Sequence, residues 1–277
     1  MIVNVVRSEF RKIISTKAWW ALLIPAVVVS YLINLGGAAI AQLPDDETLR
    51  QLGGDFPSLL GFSLALSVGF TSLFTMCLGI IGSSGEVRHK TITTTYLTTK
   101  GRGTVLVGKM IAYAVIGFAY GIVIVVAATL GGLTAGGSSA FPPVGQFLAV
   151  ALAGSVALML WTVLGVGLGS LVPNQVLVLV GALVTRLVVE RIAGLALPRI
   201  GARSVADLLP SSASSAFTSR LASDFLTEQT PPRSRADFED VFAGSGLSWW
   251  EGGLVFGVWV LACCVAAWWA TKTRDVH

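Results

Sequence analysis

Residues 85–109 read GEVRHKTITTTYLTTKGRGTVLVGK, a polar island between two stretches that carry no charge. No Asp, Glu, Lys or Arg occurs in residues 56–85 before it or in residues 110–185 after it. Such runs are long enough to cross a bilayer, where about 20 apolar residues make one helical crossing. Charge and irregular backbone find no partners in lipid, so the island belongs in water at a membrane surface. Arg88, Lys90, Lys100, Arg102 and Lys109 make it basic. The positive-inside rule therefore assigns it to the cytoplasmic side.

The rest of the chain has the matching character. Of its 277 residues 54% are hydrophobic and 12% charged, and the mean hydropathy is +0.77. Soluble domains are about one quarter charged. The expectation is an all-α membrane protein, one transmembrane domain over residues 1–277. The net charge of +4 comes from basic residues that flank apolar runs. That pattern answers to a membrane surface, and no nucleic-acid partner is expected. Cys77, Cys263 and Cys264 lie inside apolar runs without CxxC spacing and read as small core residues.

Outward from the island, the spans follow from hydropathy and breaks. Val3, Val6, Phe10, Ile13 and Ile14 recur at helical spacing, with Arg7, Arg11, Lys12 and Lys17 between them. This predicts an interfacial amphipathic helix over 1–17 whose cations meet anionic lipid headgroups. The uncharged run 18–41 follows; it exceeds a signal-peptide core and is expected to be the first span. An acidic loop over 44–55 leads to a second span near 57–84. The long run 110–185 is divided by Gly/Ser/Pro-rich breaks at 134–143 and 172–174. Spans three and four are expected near 110–133 and 146–171, and a fifth from Asn174 to Pro198. Gly117-x-x-x-Gly121 and Gly165-x-x-x-Gly169 favour close helix approach. A polar segment over 198–246 then lies outside by parity. Trp249-Trp250 and Trp268-Trp269 bracket the last span, 19 residues or roughly 28 Å apart. Lys272 and Arg274 put the C-terminus inside. The sum is six transmembrane helices with both termini cytoplasmic.

The island also carries a resemblance. Gly85-Glu86 closing a long helix, then RHKTITTTYL, a basic Lys100-Gly101-Arg102 turn and Lys109 opening the next helix are similar to the cytoplasmic coupling segment of ABC-2-type exporter permeases, the actinobacterial members above all. The likeness departs at Thr98-Thr99-Lys100, where the family usually has Pro before the Arg. The resemblance implies an ABC-2, type V exporter-like fold with an N-terminal elbow helix (1–17), a coupling segment (84–109) and an extracellular segment (198–246). It implies that Glu86, Arg88, His89, Lys90, Thr91, Lys100 and Arg102 meet two separate ABC ATPase subunits, which would bind ATP and Mg. It further implies a second permease subunit, identical or paralogous, membrane lipid as surroundings, and residence in a bacterial cell membrane. A non-transporting membrane scaffold and a secondary transporter are the competing readings.

No catalytic constellation, cofactor site or metal site is expected in this chain, whose histidines are His89 and His277 alone. Residues 103–109 match the first seven positions of a phosphate loop. Met110 stands where the magnesium-binding hydroxyl belongs, and no strand precedes it. Arg186 and Glu190 are more informative. They interrupt the fifth apolar run at i,i+4 spacing, about twelve and sixteen residues into the span. Charges at that depth face protein or a water-filled cavity. A structural pair and a polar patch on a translocation path are both open.

The topology is checked with single cysteines in a chain lacking Cys77, Cys263 and Cys264. Cysteines at Ser138 and Ser234 are expected to react with an impermeant maleimide from outside, and one at Thr95 is not. Labelling at Thr95 in intact cells contradicts this topology.

Overall fold

Apolar composition draws five stretches into helices long enough to cross a membrane. The computed structural model describes residues 2–40, 60–88, 102–137, 141–172, 174–229 and 246–273, with the backbone alone at 86–88, 102 and 226–229. Among these residues every regular element is helical. An amphipathic α1 (Ile2–Ser15) precedes α2 (Ala18–Ile40), α3 (Leu60–Arg88), α4 (Arg102–Gly136) and α5 (Val144–Leu171). Next, α6 joins Gln175–Val184 and Glu190–Arg199 through a π-helical turn, Thr185–Val189. A short α7 (Arg203–Asp207) leads to α8, in which Pro210–Ser215 and Leu221–Gln229 flank a second π turn, Ala216–Arg220. The described chain closes with α9 (Trp249–Thr273). Helices α2, α3, α4, α5 and α9 have the length and hydropathy of membrane spans, which makes this a multi-pass membrane architecture.

Their ends define two poles. At one, Ile13 of α1, Leu106 at the start of α4 and Ala267 near the end of α9 share a core. At the other, Ala38, Leu60 and Phe141 bring together the end of α2, the start of α3 and the α4–α5 junction. Glycine sets the spacing between. A side chain at Gly165 would overlap the carbonyl of Met76, and one at Gly79 would overlap the carbonyl of Thr162. So α3 and α5 meet backbone to backbone. Gly117 and Gly121 do the same for α4, against Met159 and Ser155 of α5. A polar seam ties α2 to α3 and α4. Ser63 donates to Asn34 Oδ1 at 2.8 Å, Asn34 donates to the Ser30 carbonyl at 2.9 Å, and Ser30 donates to the Ile124 carbonyl at 3.1 Å.

The expected break at 172–174 is a helix start. The Asn174 side chain accepts from the backbone N–H groups of Val176 and Leu177. From there α6 runs antiparallel to α3: Val178 joins the core around Met76 and Ile80, and Arg186 reaches Gly69 and Ser72. The fifth span expected from Asn174 to Pro198 is thus an interrupted helix, set apart from the five unbroken ones by its charges and its π turn.

Residues 203–229, expected within an outside polar segment, are helices docked on the bundle. Their small side chains permit it. Ala213 and Ala216 abut Gly252 of α9, and both are buried. The indole of Trp259 donates to the Leu208 carbonyl at 2.8 Å. Ser and Ala read as polar or neutral in hydropathy, yet they are the residues that let helices touch.

Overpacking the α3–α5 contact tests this account. Gly165→Leu should lower the thermal midpoint of the detergent-purified chain by several degrees, for a cost of about 1–3 kcal/mol. Gly181→Leu, where nothing lies within 4 Å, should leave the midpoint unchanged.

Candidate functional site

Two polar assemblies stand out, one at the first pole and one partway along α3. The first is built on α1. Its inward face holds Val5, Val6, Glu9, Phe10 and Ile13, whereas Val3 and Ile14, expected on the apolar face, are 71% and 63% exposed. Glu9 is buried among apolar neighbours because it is paired. Lys109 Nζ of α4 lies 2.7 Å from Glu9 Oε2, and Lys12 Nζ lies 2.6 Å from Oε1. Lys109 also donates to the Gly82 carbonyl of α3 at 3.3 Å. Glu9 therefore fastens α1 to α4, and Lys109 carries the tie on to α3, where the chain leaves α3 and re-enters at α4. Residues 103–109 are regular helix, with Gly108 against Val5, so the phosphate-loop match has no loop.

The sequence signal for this junction is Glu9 itself. It stands four residues after Val5 and four before Ile13, an acid in line with an apolar stripe. Of the residues that the coupling resemblance implies, Glu86 and Arg88 end α3 and Arg102 begins α4, with their side chains outside the described residues. His89, Lys90, Thr91 and Lys100 lie outside the described residues altogether.

The second assembly surrounds Arg186. Its guanidinium donates to Ser72 Oγ at 2.6 Å, to the Gly69 carbonyl at 3.2 Å and to Ser211 Oγ at 2.9 Å. It also stacks on the ring of Trp161, 3.6 Å from the ring centroid. Such a cation over an indole gains on the order of 2 kcal/mol when desolvated. Trp161 is itself pinned, donating its indole N–H to Ser214 Oγ at 2.8 Å and packing on Phe256. Glu190 does not bond Arg186 directly. Its Oε2 accepts the backbone N–H of Ser211 at 2.8 Å. Ser211 therefore stands between the two charges, and the one-turn ion pair suggested by the spacing becomes a bridge through α8. The π turn between Arg186 and Glu190 widens the helix there, and both side chains reach the same neighbour.

Beside this cluster lies a cavity of about 680 Å³ between α3, α6, α7 and α8. Both π turns line it, through Arg186 and Leu187 of the first and Ala216, Ser219 and Arg220 of the second. Pockets of this size accommodate ligands. Sequence reasoning found Arg186 and Glu190 but not Ser72, Trp161 or Ser211. Trp161 is a single aromatic within an apolar run, and Ser211 sits in a stretch that read as exposed. Among the described residues, no three His, Cys, Asp or Glu gather where a metal could be held.

Fold and site together define a multi-pass helical membrane protein with a half-buried arginine at the wall of a cavity of mixed polar and apolar lining. No known family model matches the chain, and no curated protein matches it.

Removing one partner of a buried ion pair costs up to about 3–5 kcal/mol, and without Lys109 the buried Glu9 keeps only the part-exposed Lys12. Lys109→Met should therefore lower the thermal midpoint sharply. The exchange Glu9→Lys with Lys109→Glu should recover much of the loss, since Lys12 can turn toward solvent. Equal loss in the single and exchanged variants contradicts the pairing.

Proposed function

We propose that this chain is the transmembrane permease subunit of an ATP-driven ABC exporter. The observation that carries this reading is the stretch 85–109, with its likeness to a coupling segment, strung between two helices of membrane length. Two features agree with it. An amphipathic N-terminal helix is bonded through Glu9 to Lys109 of α4, and Lys109 in turn donates to Gly82 of α3. A half-buried arginine borders a cavity within the helical bundle.

In this reading α2, α3, α4, α5, α6 and α9 make six crossings of a bacterial cell membrane, with both termini in the cytoplasm. Two ATPase subunits bind ATP and Mg and dock on residues 86–102. Their closure pushes the segment, and the Glu9 junction makes α1 and the ends of α3 and α4 move as one body. The substrate path runs between this chain and a second permease subunit. The chain itself hydrolyses nothing. Arg186 and Glu190 act on the path through the cavity they border.

Co-expression with a candidate ATPase chain tests the proposal. The two should co-purify at equal stoichiometry, and deletion of residues 94–99 should abolish coupled ATPase activity while the permease stays in the membrane. A well-expressed deletion variant with unchanged coupling refutes the role of the segment. Failure of every ATPase to co-purify favours a scaffold.

A further inference from the structure

We propose that the cavity between α3, α6, α7 and α8 binds an amphiphile with an oxyanion headgroup and a hydrocarbon tail. The proposal goes beyond the permease reading, because it concerns what the chain holds by itself, with or without an ATPase.

The argument begins with charge. The cavity is lined by Arg186, Arg191, Arg203 and Arg220, against two carboxylates, Glu190 and Asp207. Glu190 accepts from Ser211 N–H and Asp207 accepts from Gly246 N–H at 3.2 Å; both keep their charge, and the four arginines still outnumber them by two. Arg220 is matched with Asp224 at 3.3 Å. Arg186 is held by neutral acceptors and an indole face, which position its charge without cancelling it. Arg191 and Arg203 are exposed at the cavity wall and carry no ion pair among the described residues. Ser212, Ser215 and Ser219 add hydroxyl donors. Forked guanidinium donors beside hydroxyls suit a carboxylate or phosphate.

The same lining also holds the other chemistry. Leu66, Phe70 and Leu73 of α3 line the cavity, and Leu66 and Phe70 are 45% and 46% exposed. They form a hydrocarbon strip on a membrane-length helix, along the same stretch of α3 whose Gly69 and Ser72 hold Arg186. A small anion would leave the strip wet, and a neutral hydrophobe would leave the arginines unanswered. A molecule with an anionic head and an apolar tail satisfies both parts of the lining at once. Two π turns give the cavity its width, in keeping with their frequent place at functional sites.

The test uses the full chain purified in a neutral maltoside detergent, with the fluorescent fatty acid cis-parinaric acid as probe. Saturable binding is expected, with the methyl ester of the probe binding at least tenfold more weakly. The double substitution Arg191→Gln and Arg203→Gln should weaken the acid about tenfold or more and leave the ester unchanged. Phe70→Ser should weaken both. Arg191 and Arg203 are exposed, so an unchanged thermal midpoint verifies that the double variant is folded. Competition in lipid nanodiscs separates the sources of the ligand. Displacement by phosphatidylglycerol supplied in the bilayer identifies a membrane lipid, and displacement by palmitate from solution identifies a soluble amphiphile. Displacement by neither overturns the proposal. Equal affinity for acid and ester, an unaltered double variant, or full displacement by inorganic phosphate overturns it as well.

Discussion

The carbonyl of Met76 occupies the space that a side chain at Gly165 would need, and the carbonyl of Thr162 occupies the space beside Gly79. In a bilayer no hydrophobic force draws helices together, because lipid tails are as apolar as leucine. Association rests on close packing and interhelical hydrogen bonds. Reciprocal glycines bring the α3 and α5 backbones into contact and so determine their register. That register puts Ser72 and Gly69 within reach of Arg186 and puts Trp161 beneath its guanidinium. The polar cluster is therefore a consequence of where two glycine-bearing helices meet.

The molecule deals with its two charged sites in different ways. Glu9 is met by lysines from its own helix and from α4, so the junction is neutralised and serves as a fastening. Arg186 is met by hydroxyls, a carbonyl and an aromatic face, with Glu190 held one residue away at the backbone of Ser211. That arrangement solvates the guanidinium without discharging it. The first solution makes a rigid body at the pole where residues 85–109 attach. The second keeps positive potential at the wall of a cavity, which is where a ligand-binding role draws its force.

Among the described residues the π turns are confined to this region. The two π turns, Thr185–Val189 and Ala216–Arg220, both border the cavity, while α2, α3, α4, α5 and α9 run without one. Each π turn shifts the facing of the residues after it. Here α6 and α8 meet through Arg186, Glu190 and Ser211, with the cavity beside them.

Hydropathy alone determined where the five unbroken spans lie, because burial in lipid requires roughly 20 apolar residues in a row and that requirement is local. It also marked Arg186 and Glu190 as charges in need of partners, and Gly117, Gly121, Gly165 and Gly169 as points of close approach. The identity of the partners was not legible. Ser211 lies 25 residues beyond Arg186 and reaches it only because α8 folds back onto the bundle, through small residues that hydropathy reads as a solvated loop. Glu9 interrupts an apolar stripe that periodicity alone would keep intact, and its partner Lys109 is 100 residues away. Apolar stretches are selected by the solvent they meet, which a sequence can encode one segment at a time. Charge pairing and cavity shape depend on which helices become neighbours, and only the tertiary structure decided that.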